Sequence, residues 1–356
     1  MSSPNLLEPL PAGAAPQEPP RSQVPGRLQK IFRSSLREGK IHPLLHLMQA
    51  YRVQRGLSPV SPPSAPAAPA AATLPRTIAP EHVRARVTEL PPLPQAAVRA
   101  LGTLRRDDSS LEEVAADLSC DPSLTARVLR LANSPFYGVS GRISTLSSAA
   151  QVLGRRTLES VLTLAAVAGQ FGKHGSKTFD SSAFWRHALG SAIVARSLAR
   201  AAGCDEDQAF VAGLLHDIGL LAMSSYFPAE LDELIACAGA SDMPLSAIER
   251  KLGLTPHAQI GAWLAAHWRF PAEVVTAIAA HHAEVPEAGP RASVADCVHV
   301  ANAIAHALEL AQLEGELVPP VEPGAWRRVS VSDDIFMRIF EEAESGVTAL
   351  CGALSL

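Results

Sequence analysis

The chain has 356 residues, of which 47% are hydrophobic and only 5% aromatic, with a formal net charge of −4. The apolar supply is ample for a core, and its bias to Ala and Leu over β-branched runs favours helices and argues against a sheet-based fold. No run approaches ~18 uninterrupted apolar residues, which speaks against a membrane span. The five cysteines lack CxxC spacing and read as reduced thiols in a cytoplasm, not as a disulfide frame or zinc ribbon.

From the N-terminus, MSSPNLLEPLPAG has neither a basic n-region nor a long apolar h-region, so no secretory leader is expected. Residues 1–26 are rich in Pro, Ala and polar residues and are expected to be disordered. Residues 27–57 form a basic amphipathic arm: from Arg27 to Arg55, Leu28, Ile31, Phe32, Leu36, Leu44, Leu47, Met48 and Tyr51 alternate with basic residues. Their spacing predicts two short helices broken near Gly39 and Pro43. A Pro/Ala-rich linker is expected over 58–87, beginning with SPVSPPSAPAAPAAATLP at 58–75. Charge divides at the same place. Residues 1–88 hold 11 Lys and Arg against 4 Asp and Glu, and the remainder holds 20 against 31. An acidic partner is therefore expected for the arm, and the acidic body can itself be that partner.

The folded body begins near LPPLP at 90–94. Ser110 with Glu113 offers a capping box, and Asp121-Pro122 an N-cap and N1 pair for a helix that stops at Asn133-Ser134-Pro135. A helical region from Ser147 to about Phe171 is expected to turn at Gly154. Ser182 to Ala202 carries Phe184, His187, Ala188, Ser191, Val194 and Leu198 on one face and closes at Gly203. Asp207 is expected to cap the next helix, with Phe210, Leu214, Asp217 and Leu221 on one side. Thr255-Pro256 and Pro271 open two more, Ser293 to about Leu310 forms another, and 311–356 is a weaker tail with a helix around Asp333 to Glu344. No strand pattern or fixed-period repeat is present, so the fold class is all-α.

Several polar residues interrupt these apolar faces. His187 is in line with Phe184 and Val194; Asp217 with Leu214 and Leu221, after His216; His257 opens its helix; His281 and His282 end theirs; Asn302 lies on the face of Val298 and Ala305. An unpartnered buried polar group costs on the order of 1–3 kcal/mol, so these groups should meet, and converging His and Asp on bundle helices is how helical metal sites are built. A second reading stays open: His187 as a satisfied core histidine, His281 and His282 complementing a helix dipole, and Asp217 bonded locally to His216. His42, His46, His82, His174, His267, His299 and His306 are assigned no role.

Three stretches carry a family resemblance. GLLHDIGLL at 213–221 resembles the doublet of the HD superfamily, metal-dependent phosphohydrolases in which His and Asp hold one or two metal ions. DPSLTARVLRLANSPFYG at 121–138 and FWRHALGSAIVARSLA at 184–199 resemble HDOD domains, the signalling branch of that superfamily. With LPPLPQ at 90–95 and HHAE at 281–284, the resemblance covers about residues 88–287 and implies a multi-helix HD-type bundle with a preceding N-terminal helical subdomain, leaving 288–356 as a C-terminal helical extension. HDOD domains resemble HD-GYP domains, which hydrolyse cyclic di-GMP at a metal site. On that pattern His187, His216, Asp217, His257, His281 and His282 match metal ligands, Asn302 stands where the last acidic ligand belongs, and HHAEVPEAGP replaces the GYP segment.

An amide at 302 contributes a neutral oxygen where a carboxylate would bring a charge, which weakens a dinuclear cation site. The resemblance therefore implies a degenerate site with one divalent ion such as Fe or Mn, in a regulatory protein that contacts signalling partners and does not catalyse. A metal-dependent phosphohydrolase and a non-hydrolysing ligand sensor are the alternatives. No nucleic-acid reading motif is present, and a solvated helix explains the basic arm more simply.

Overall fold

A computed structural model describes residues 31–32, 42–55, 75–139, 141–170, 175–283, 289, 291–313 and 316–354. The expected disorder of 1–26, the first arm helix beyond Ile31-Phe32 and the linker through 74 lie outside the described residues. Among the described residues the fold is all-α, with no strand.

After α1 (Pro43–Gln54) and α2 (Pro80–Thr88), the N-terminal lobe is built from α3 (Gln95–Leu104), α4 (Leu111–Ser119), α5 (Pro122–Ala132) and α6 (Leu146–Ala168). Capping follows the sequence closely here. The Ser110 hydroxyl accepts from Glu113 N–H, and the Asp121 carboxylate accepts from Leu124 N–H with Pro122 in the first turn. The reciprocal half of the Ser110 box is replaced by an ion pair of Glu113 with Arg106 at 2.7 Å. Gly154 turns α6 as expected, at φ 73° and ψ 169°, a conformation that L side chains rarely adopt.

The second lobe is organised around α7 (Ser181–Ala202), which packs against α8 (Glu206–Leu215), α14 (Val294–Ala307) and α16 (Asp333–Leu354). Between them lie α9 (Ile218–Tyr226), α10 (Pro228–Ser241), α11 (Leu245–Leu252), α12 (His257–His267) and α13 (Ala272–Ala280), with α15 (Pro323–Val329) before α16. Asp180 caps α7, and Gly203 closes it at φ 74°. The cap of α8 is Asp205, not Asp207: its carboxylate accepts from Asp207 and Gln208 N–H, while Asp207 faces Arg196 at 3.5 Å. The stretch Glu206–Tyr226 is long and apolar enough to cross a membrane by composition, but it is 83% buried and broken at the His216-Asp217 doublet, as a core element would be.

Three boundaries shift. Pro80–Thr88, expected within the linker, is helical and buries Val83 and Val87 against α9 and α12. The C-terminal segment is no loose extension: α14 packs on α7, α8 and α13, and α16 runs 22 residues along α7. The arm helix α1 also docks on the body. It buries Leu44, Leu45, Leu47, Met48 and Tyr51, and the Tyr51 hydroxyl and Arg55 guanidinium meet Glu344 at 2.9 and 2.7 Å. Apolar burial, joined by one acidic residue of the body, seats the arm.

Candidate metal centre

The doublet is placed by two close helix crossings. A Cβ at Gly213 would lie 2.8 Å from the Ser191 carbonyl of α7, and one at Gly219 would collide with the His257 carbonyl of α12. Glycine lets both backbones approach, so the α8–α9 break, with His216 and Asp217, sits between α7 and α12.

Around that break the expected residues converge. His216 Nε2 lies 3.2 Å from Asp217 Oδ2, and His257 Nε2 and His281 Nε2 lie 3.1 and 3.3 Å from Asp217 Oδ1. His187 Nε2 is 3.2 Å from His216 Nε2, 3.0 Å from Asn302 Oδ1 and 3.7 Å from Asp217 Oδ2. His282 is half-buried beside them, its ring centroid 4.1 Å from that of His281 and 5.1 Å from that of His257. His187, His216, Asp217, His257, His281 and Asn302 are all buried.

The backs of the rings fix their tautomers. His216 Nδ1 donates to Gly213 O and His281 Nδ1 to Ile278 O, each at 2.7 Å, and His257 Nδ1 donates to the Glu249 carboxylate at 2.8 Å. A carbonyl or carboxylate oxygen only accepts, so each neutral ring turns an Nε2 lone pair toward Asp217. Asp217 Oδ1, His257 Nε2 and His281 Nε2 accordingly make no well-formed hydrogen bond although fully enclosed. Lone pairs facing one another in a low-dielectric site repel unless a proton or a cation stands among them. This donor set, imidazole nitrogen with one carboxylate and backs held by oxygen acceptors, fits a divalent transition metal. Two overlapping groups satisfy ligand spacing: Asp217, His257, His281 and His282; and His187, His216 and Asp217.

Electrostatics follow from the same arrangement. Burial would raise the Asp217 pKa, but the close approach first of the His216 ring and then of the His257 and His281 rings brings it well below the usual carboxylate range. Burial would lower that of His257, but Glu249 and then Asp217 push it up to about 10. Burial dominates at His281, which falls to about 4, and at His187 and His282, which fall well below the imidazole range.

The cluster opens into a cavity of about 450 Å³ with apolar walls that include Phe179, Phe184, Ile235 and Met243. Four carboxylates line it, Asp180, Asp217, Asp242 and Glu316, and no Lys or Arg does among the described residues. Three contributors were not expected. Glu249 is 1% exposed and holds His257, yet in SAIERKL it reads as an ordinary solvent-facing charge. Glu316 comes from a segment without helical pattern. His306 lies four residues after Asn302, so the face shared with Asn302 was the signal that could have found it. His299, by contrast, is structural: its Nδ1 donates to His281 O and its Nε2 accepts from Glu322 N–H.

The sequence matches the HDOD domain family over residues 90–284. An uncharacterized protein of Treponema pallidum (strain Nichols) is 29% identical over 203 residues, 55% of this chain; the match spans only 38% of that relative's length. Among solved structures, a Shewanella amazonensis SB2B protein named as a phosphohydrolase is 28% identical with a TM-score of 0.62, over 76% of this chain and 97% of its own. An HDOD domain protein of unknown function from Geobacter sulfurreducens is 27% identical with a TM-score of 0.62, over 77% and 98%.

Proposed function

Because the chain belongs to the HDOD domain family of the HD superfamily, we propose that it is a regulatory signal-transduction protein that holds a divalent ion, of the Fe or Mn class, at Asp217 and acts through protein–protein contact without turnover. The observation that carries this reading is the charge of the cavity. Asp180, Asp242 and Glu316 line the approach to Asp217, with no Lys or Arg among the described residues, so a phosphodiester entering it would meet carboxylates on the walls and no ammonium or guanidinium. Asn302 supports the same reading, since its amide oxygen, 3.0 Å from His187 Nε2, adds no charge to hold a metal-bridging oxygen.

The ion would be held by Asp217 with His257, His281 and His282, or by Asp217 with His187 and His216. When bound, it would supply Lewis acidity and organise the four helices that deliver these ligands. The protein's own groups fix the ring tautomers, exclude water and set the order of α7, α9, α12 and α13 around the cluster. The five thiols are free, in keeping with a cytoplasmic protein, and α1 and α16 offer surfaces to signalling partners.

Metal content of the full chain as isolated, together with cyclic di-GMP turnover in added Mn²⁺, tests the proposal. Bound metal with no turnover is the expected result. Robust Mn²⁺- or Fe²⁺-dependent hydrolysis that His216→Ala abolishes would assign the chain to the phosphohydrolases instead.

A further inference from the structure

The cavity holds a second group of ligand-type atoms beside the Asp217 cluster. One atom each of His187, His306 and Glu316 lie within 4.8 Å of one another. His306 Nδ1 is 2.8 Å from Glu316 Oε1, and its ring centroid is 4.3 Å from that of His187. The Glu316 side chain is 3% exposed, lines the cavity, and leaves Oε2 without any hydrogen-bond partner. The far ring nitrogen of His187, Nδ1, is also buried and unpartnered. A buried carboxylate oxygen with no donor is costly unless a cation meets it.

We propose that Glu316 and His306, with His187, form a second divalent-cation site adjoining the first, and that Glu316 supplies the negative charge that Asn302 does not. This rests on the reading of Asp217 as a metal ligand. Asn302 and His306 are one turn apart on α14; His306 lines the cavity, and the Glu316 carboxylate reaches the same space from the segment that follows the helix. That segment is held from outside: Val318 N–H donates to Ile31 O and His42 Nε2 to Pro319 O, each at 2.9 Å. The N-terminal arm thereby fixes the backbone two and three residues beyond Glu316. The second site is thus supported from outside by the arm, and a partner that displaced the arm would loosen the second ion.

Co²⁺ titration of the metal-free full chain, followed by visible absorption and equilibrium dialysis, tests this. Wild type should take up two Co²⁺ per chain. Glu316→Gln, which keeps an oxygen for His306 Nδ1 but removes the charge, should hold the second at least ~10-fold more weakly and the first unchanged. His306→Gln should do the same, and it decides the matter if the Glu316 variant melts early without metal. Asp217→Asn should lose the first. One Co²⁺ in wild type, or two unaffected by either variant, overturns the second site and leaves the Asp217 site standing. No Co²⁺ in wild type overturns both.

Discussion

Two polar clusters, one in each lobe, solve the problem of burying polar atoms in opposite ways. In the N-terminal lobe the half-buried Arg155 of α6 donates through Nη1 to Leu104 O at 2.8 Å and Ser109 Oγ at 2.9 Å, with longer contacts to Arg106 O and Thr103 O, and through Nη2 to Ser109 O. Donors meet acceptors throughout, and the α3–α4 loop is closed by the chain alone. Around Asp217 the balance is reversed: three ring lone pairs and a carboxylate face one another with no donor among them in the neutral state. A self-sufficient network is a structural device, whereas an acceptor-rich one is complete only with something positive from outside.

The largest expected effect is at the acceptor-rich cluster. Asp217→Ala should destabilise the chain by about 3–5 kcal/mol, since His257 loses one of its two carboxylate partners in a buried site, and should abolish any rise of the thermal midpoint on adding Mn²⁺. Differential scanning calorimetry with and without the ion reads both effects. An unchanged midpoint in the variant would mean that the groups around Asp217 do not depend on one another.

Arg155→Met keeps the aliphatic stem but strands the carbonyls of Leu104 and Ser109, and should cost about 2–3 kcal/mol. What sharpens the contrast is that this cost should be the same with and without Mn²⁺, with metal content at the wild-type level. A fall in metal content would show that the two lobes are coupled, and the clusters could then no longer be treated as independent.

How much of this was readable beforehand follows the reach of each signal. Caps and breaks are local, so Ser110, Asp121, Gly154 and Gly203 fall where spacing and residue type put them. The α8 cap missed by two residues because Asp205, Glu206 and Asp207 are all acidic and only the backbone geometry chooses among them. His187, His216, Asp217, His257 and His281 were visible as polar interruptions of apolar faces, and the structure brings them within a few ångströms. Glu249 was not, because a glutamate in a short amphipathic helix has the same pattern whether it faces water or a histidine of the next helix. Glu316 was hidden for another reason. The backbone just beyond it is held by Ile31 and His42, far away in the sequence, and no local pattern records a contact of that range. The helix of Asn302 was legible from its inward apolar face, whereas the packing of α16 along α7 is a long-range contact that no local pattern records.

The last contrast separates the clusters by the shape of their pH dependence in the metal-free protein. In the Arg155 network the acceptors are backbone carbonyls and a serine hydroxyl, so its contribution should be flat between pH 5 and about 9. Around Asp217 two histidines are shifted in opposite senses. His257, pushed up to about 10 by Glu249 and Asp217 against the effect of burial, binds its proton more tightly folded than unfolded. Its contribution is therefore full below about 6.5 and lost as pH climbs from there through 10. His281, lowered to about 4 by burial, binds its proton less tightly when folded, so its contribution is full above about 6.5 and lost as pH falls toward 4. Depressed Asp217 adds to the acid loss only below its unfolded value near 3.9. The metal-free chain should then be most stable near pH 6–7. Glu249→Gln removes the charge that raises His257 and should flatten the alkaline limb alone, while Arg155→Met should lower the whole curve without changing its shape. Urea unfolding midpoints at half-unit steps of pH would show this. An alkaline limb that survives Glu249→Gln unchanged would place its origin in a group other than His257.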